Sequence, residues 1–196
     1  LSPRVRVDVA LFNINVKDEL VPYQITGQPG RVFYRNAGSS RRQGIELSFN
    51  TILAKGLSLF SNYTYSDFKY KTYKTTAGEF DGNVLPGIPK HAAQAELRYF
   101  RPSGLFAIAQ VRHASDLYAD DANAVTANGY TNLNLRIGGT FRAGRLGIEP
   151  FVGVNNLLNT IYFQNVQINA ANGRYFEPAQ GRFWFGGIKI HVQKKS

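Results

Sequence analysis

Polar and apolar residues alternate along most of this chain, in runs of about ten broken by turn residues. The last run shows the pattern well. Ile188, Ile190 and Val192 alternate with Gly187, Lys189 and His191. A period of two sends the first set to one face of a strand and the second to the other. The same alternation predicts strands over 1–20, 31–53, 57–70, 91–100, 105–114 and 129–141, and a closing hairpin over 147–192 with a long irregular loop inside it. On 91–100, Ala93, Ala95, Leu97 and Tyr99 oppose Gln94, Glu96 and Arg98. On 105–114, Leu105, Ala107, Ala109 and Val111 oppose Gln110 and Arg112. On 129–141, Leu133, Leu135 and Ile137 oppose Asn132, Asn134 and Arg136. The first strand slips phase. Val5, Val7, Val9 and Leu11 form one set, and then Phe12, Ile14 and Val16 become the apolar ones. A bulge, or departure of the strand from an apolar band, would produce such a slip.

The connections sort by length. Ala54–Gly56, Pro102–Gly104 and Ala143–Arg145 are short turns. Between them stand a loop around Pro22 and Gly27–Gly30, a polar stretch over 71–89, another over 115–128, and the loop of the closing hairpin. Short turns on one rim and long loops on the other mark a membrane barrel, whereas a soluble sandwich has no reason to sort them. The expected fold is therefore all-β: an antiparallel transmembrane β-barrel wall of about eight up-and-down strands, with lipid on the apolar face and water on the polar one. Glu46, Glu96, Arg98, Arg112, Arg136, Glu149 and Lys189 would face the lumen. Tyr63 and Tyr65, at the end of their apolar run, suit either an aromatic girdle or ordinary cross-strand pairs. Eight strands can close a small barrel packed with side chains. The mixture of Gly44, Ser48, Gly138 and Gly153 with charges predicts an open segment instead, whose two edges need further strands.

Composition narrows the function. The 196 residues contain no cysteine, which excludes disulfides and thiolate metal sites. No stretch approaches the roughly 20 apolar residues of a membrane helix, and barrel strands do not need one. The formal charge is +10, but the cations are scattered and the densest clusters are pairs, Arg41-Arg42 and Lys194-Lys195. No nucleic-acid partner is expected from that spread. His91, His113 and His191 lie on separate strands without metal-ligand spacing, and no nucleophile elbow or phosphate loop is present. No enzyme activity, metal or cofactor is expected. The chain opens directly in a strand, with no basic-then-apolar export segment, which suggests a piece of a longer protein.

Three segments carry a resemblance. NAGSSRRQGIE (36–46) looks like an Asn-x-Gly…Gly-x-Glu strand. LPGIPKH (85–91) looks like the return of a long loop into the wall. VNNLL (154–158) with GRYFEPAQGRFWFGG (173–187) looks like a closing signature. Together they resemble the C-terminal part of a TonB-dependent outer-membrane receptor, over essentially the whole chain. The resemblance implies a barrel of about 22 strands filled by an N-terminal plug, of which this would be about the last third, residues 1–196, with the plug absent. It implies the bacterial outer membrane, its lipid, the missing plug and strands, the TonB complex and the barrel-assembly machinery as partners. It also implies import of a scarce nutrient, most often a ferric siderophore. Haem, cobalamin or a quinone cofactor stay open as cargo, as does a small outer-membrane barrel with a structural, adhesin or enzyme role. Family members normally end on an aromatic residue. Here the strand ends at Val192 and Gln193–Ser196 follow, a departure that bears on assembly.

A receptor of this kind would bind an anionic, aromatic or hydroxamate-bearing complex with loop-borne cations and rings. Tyr73, Lys74, Tyr118, Tyr162, Gln164, Arg174 and Tyr175 are the candidates. Each has a loop-packing or girdle role as the alternative. For Arg174 and Arg182, ordering of the closing hairpin is the competing reading.

Overall fold

The computed structural model describes residues 4–23, 33–75 and 78–192. The predicted loop at Gly27–Gly30 and the tail Gln193–Ser196 lie outside the described residues. Thirteen strands follow in chain order: β1 (Val5–Tyr23), β2 (Phe33–Ala54), β3 (Leu57–Tyr73), β4 (His91–Phe100), β5 (Leu105–Ala114), β6 (Leu117–Tyr118), β7 (Thr126–Ala127), β8 (Tyr130–Gly139), β9 (Phe141–Ala143), β10 (Leu146–Asn155), β11 (Phe163–Val166), β12 (Phe176–Pro178) and β13 (Phe183–Val192). Eight of them form one antiparallel sheet in the order β1-β2-β3-β4-β5-β8-β10-β13, and β9 extends β8 along β10. β6 pairs with β7, and β11 with β12, as small ribbons in the long loops. The path is linear, so β1 and β13 are its two edges and the sheet is a partial wall.

The register carries the two faces across the whole wall. One outward line runs Val9–Leu47–Tyr63–Ala93–His113–Thr131, and another runs Leu59–Leu97–Ala109–Leu135–Val154–Trp184. The described residues leave this face largely uncovered, Val154 at the end of β10 (3% exposed) excepted. Ile188, Ile190 and Val192 are 66%, 63% and 73% exposed. The opposite face holds Glu46, Glu96, Arg98, Arg112, Arg136, Glu149 and Lys189. A large apolar face turned outward with charges turned inward inverts a water-soluble protein and suits a lipid surround.

The phase slip beyond Leu11 is departure from the apolar band, because the β1–β2 ladder runs in unbroken register from Val5 to Lys17. Past Leu11 the outward residues are Asn13, Asn15 and Lys17. Phe12 turns inward and packs edge-on against Phe68 at 5.9 Å. The bulge comes later, at Asp18, with φ of 57°. Residues 71–73, predicted as loop, continue β3.

The glycines of the inner face are spaces for rings. A side chain at Gly44 would strike Phe12, one at Gly138 would strike Phe106, and one at Gly153 would strike Phe185. Each ring stands directly opposite its glycine in the register. Cross-strand aromatic cover of this kind compensates for the flexibility of a strand glycine.

Candidate functional site

At the long-loop rim the protein assembles a deck from three loops, and one carboxylate fastens it. On either side of the bulge at Lys71, β3 presents Tyr70 and Tyr73 inward, with rings stacked at 4.1 Å. The following loop folds back along β3. Gly82 N–H donates to Tyr70 O, Phe80 N–H to Tyr73 O and Leu85 N–H to Phe68 O, at 2.9 to 3.0 Å. This return buries Leu85 with the two rings, and Phe68, Phe80 and Ile88 pack around them. The second loop brings Asp121, 8% exposed, against the pair. Its carboxylate accepts from the Tyr70 hydroxyl at 2.8 Å, the Tyr73 hydroxyl at 3.1 Å and the Asn169 amide of the third loop at 2.8 Å. Its own N–H donates to Asn169 Oδ1 at 3.1 Å, and its carbonyl accepts from Asn83 Nδ2 at 2.8 Å. Asn123, left-handed at φ 57°, clasps both backbone groups of Val84 at 2.9 Å.

Burial, and then the Asp121 hydrogen bond, push the Tyr70 phenol far above its ordinary value. Burial and the Asp121 charge do the same to Tyr73. Both rings lie past the portion of β3 that a bilayer needs. A pKa raised by folding contributes stability that is complete below the ordinary phenol value of about 10 and is lost as pH climbs beyond it. Ultraviolet titration of the full-length protein should find both phenols silent through about pH 11, followed by loss of loop protection when they ionise. Ordinary titration of every tyrosine with the deck intact would contradict this.

The closing signature is a second clasp. Asn156 is buried and left-handed at φ 52°. Its side chain exchanges two 2.9 Å hydrogen bonds with the Thr160 backbone and donates to Gln180 O at 3.3 Å. Asn159 accepts from Arg182 N–H at 3.0 Å, and the Arg182 guanidinium reaches Leu157 O at 3.4 Å. The motif thus ties the end of β10 to the start of β13.

The inner wall holds a cavity of about 510 Å³ lined by Asn62, Thr64, Gln94, Arg112 and Tyr130 among others. Three other inner cations have partners on the wall. Arg98 pairs with Glu96, and Lys189 lies 3.5 Å from Glu149. Arg136 sits 4.1 Å from the Phe151 ring centre. Arg112 is exposed and turned into the cavity wall opposite Gln94. A larger cavity, about 720 Å³, lies among Leu105, Ile137, Phe141, Val152 and Ile188, residues of the lipid side.

The seven loop candidates separate. Tyr73 is 5% exposed and engaged in the deck. Tyr162 stacks on Tyr130 at 4.3 Å, and its hydroxyl accepts from Asn132 at 3.0 Å. Tyr118 is half-buried, and its carbonyl accepts from Gly87 N–H. Lys74 pairs with Glu79 at 2.7 Å on the surface. Gln164 and Arg174 are exposed, and Tyr175 leans on Phe176 at 5.9 Å. Asp121, Asn123 and Asn169 escaped the sequence reading as site residues, and Asn156 entered it only as part of the closing signature VNNLL. Asp-Asp and isolated Asn in a polar loop carry no mark that separates a buried clasp from turn chemistry. Among the described residues no cluster of His, Asp or Glu suits a metal ion.

Comparison with known proteins adds the following. The profile of the family described as TonB dependent receptor-like, beta-barrel matches residues 1–157. The chain is 27% identical over 158 residues to the ferrichrome outer membrane transporter/phage receptor of Escherichia coli K12, covering 78% of this chain and 20% of that protein. It is 29% identical over 133 residues to the ferrioxamine receptor of Yersinia enterocolitica, covering 66% of this chain and 18% of that protein. The fold matches the crystal structure of the siderophore receptor PiuA from Acinetobacter baumannii with a TM-score of 0.77 at 20% identity, over 97% of this chain and 27% of that one. The chain therefore spans about a fifth of the length of the curated relatives it matches.

Proposed function

Since the chain belongs to the TonB-dependent receptor-like β-barrel family, we propose that it is the C-terminal wall segment of an outer-membrane receptor that imports a ferric siderophore. The observation that carries this reading is a polar inner wall holding a cavity that Arg112 lines, with a fastened loop deck at its long-loop rim. The plug and the remaining strands would complete the lumen, TonB would supply energy through the plug, and the barrel-assembly machinery would insert the whole. Siderophore uptake by this route makes and breaks no covalent bond in the wall, so the segment acts as receptor and conduit, not as an enzyme. Iron enters as cargo, and no resident cofactor is invoked.

The cargo class follows from chemistry and kinship together. The two relatives above are named for ferrichrome and ferrioxamine, and an iron complex held by oxygen ligands offers acceptor oxygens at its surface. Arg112 and Arg174 are exposed guanidinium donors suited to such oxygens, and Tyr175 offers a ring edge. Gln164 and Lys74 stand at the same rim. Titrating the purified full-length receptor with ferrichrome and ferrioxamine B should find one of them bound, with the iron-free forms weaker. Arg112→Gln should weaken that binding about tenfold, a loss of about 1.4 kcal/mol. Unchanged affinity in Arg174→Ala and Tyr175→Ala, with normal surface expression, would remove those two from the site. Binding of haem, cobalamin or a quinone with no ferric siderophore bound would replace the cargo assignment.

A further inference from the structure

The first three strands are much longer than a bilayer requires. Ten residues of strand run about 33 Å, which at a tilt near 40° is about 25 Å of height, the apolar band of an outer-membrane barrel. β4, β5, β8, β10 and β13 have ten residues each, whereas β1, β2 and β3 have 19, 22 and 17. The turn at Lys55-Gly56 stays level with the end of β4, since Leu57 pairs with Tyr99. The surplus therefore rises at the long-loop rim.

On that surplus the outward face changes character in register order. The apolar rows end at Tyr63, Tyr65 and His91, where the Tyr63 hydroxyl and His91 Nδ1 are 2.8 Å apart. The next line is Gln43–Asp67, and the one above it is Asn15–Arg41–Lys69. Lys17 stands on the same face above Asn15, and Lys71 donates to Asn15 Oδ1 at 2.5 Å. Lys90 lies 5.7 Å from the Tyr65 ring centre. Arg41 and Lys69 sit directly opposite each other, where like charges repel. Asp67 is shared between them, 3.2 Å from Lys69 and 4.0 Å from Arg41, and the other acidic groups beside this cluster are Asp18 at the bulge and Asp116, which lines the hollow by Lys69 and Lys90. The cluster keeps an excess of positive charge. Two hollows flank it, about 380 Å³ beside Lys17 and Lys71 and about 550 Å³ beside Lys69 and Lys90. The shorter strands stop below this level, β4 beginning at His91, and the outward residues of β4, β5 and β8 on the Tyr63 row are Ala93, His113 and Thr131.

We propose that this face, on the outside of the wall above the ring line, binds the phosphate-bearing headgroup of an outer-leaflet lipid. Cations at headgroup height, on the side that faces lipid and away from the lumen, complement phosphates there and cannot serve cargo passing inside. A lipid with two phosphates on its headgroup would span the Arg41–Lys69 pair and relieve its repulsion.

The proposal rests on the membrane-wall reading and not on the cargo, and its test uses no siderophore. The full-length receptor would be captured in nanodiscs of phosphatidylcholine doped with bisphosphorylated lipid A or with phosphatidylglycerol, and the lipid retained per receptor measured after detergent extraction. Lipid A should be retained in preference to both phospholipids, less so at high salt. The double variant Arg41→Gln/Lys69→Gln should lose most of that preference, while Arg142→Gln, at the opposite rim, keeps it. Gel mobility of the unheated barrel confirms that each variant is folded. Equal retention of lipid A by the double variant and the unaltered receptor would overturn the site. Displacement of lipid A by a few millimolar inorganic phosphate would equally overturn it, by making the ligand a free anion.

Discussion

Asp121→Ala in the full-length receptor is expected to release three loops at once while leaving the wall standing. The substitution removes the acceptor for two buried phenols and an amide that reach it from separate parts of the chain. Each unpaired buried group costs about 1–3 kcal/mol, so the deck should lose on the order of 3 kcal/mol or more. The ladders between β3, β4, β5 and β8 do not use this residue, so the barrel should still assemble. Hydrogen exchange would read the difference. The amides of Val84, Gly87 and Asn169, which bond across the loops, should open by a factor of about a hundred or more for that loss, while those of β4 and β5 keep their protection. Protease should nick the loops on intact cells, and uptake should fall because the loop deck has lost its shape. Asp121→Asn keeps one acceptor oxygen and should sit between. Unchanged exchange at those three amides would show that the tyrosine stack and Leu85 hold the deck without the carboxylate.

The wall was legible because its signal is local. Residues 91–100 and 105–114 alternate without a slip and are joined by Pro102–Gly104, so both strands fall where the pattern places them. The slip in β1 was legible as an event but open as to cause, because a bulge and an exit from lipid look alike along one strand. The paired strand decides between them, and the ladder past Phe12 is continuous. The deck was not legible. Tyr70 and Asp121 are 51 residues apart, and Tyr73 and Asp121 are 48 apart. Nothing near Tyr73 in sequence separates a phenol that waits for cargo from one that fastens a loop. The ring-on-glycine pairs lie between these cases. Gly44, Gly138 and Gly153 were visible as small residues on the inner face, and aligning the strands in register brings Phe12, Phe106 and Phe185 opposite them.

The sharpest test of the two-faced wall uses neighbouring residues. Leu47 lies within the outward apolar run from Ile45 to Thr51, between Val9 and Tyr63. Ser48 is one residue on, points inward, and stands between Asp8 and Asn62. A lysine at either position has the same helix and strand propensity, the same charge and nearly the same depth. Only the face differs. Leu47→Lys must bury an ammonium in hydrocarbon or drag it to the headgroups, at a cost of about 2–4 kcal/mol near the band centre and less toward the interface. Ser48→Lys meets water and the Asp8 carboxylate, and its cost should stay within about 0.5 kcal/mol. Urea titrations of full-length receptor refolding into lipid vesicles should therefore separate the two by at least about 1.5 kcal/mol, with Leu47→Lys the weaker. The same ordering should appear as reduced surface receptor in cells. A water-exposed sandwich face predicts the reverse, since Leu47→Lys would then remove an exposed apolar group at no cost. Equal stabilities for the two variants, or a more stable Leu47→Lys, would place the apolar rows of β1–β3 somewhere other than against lipid.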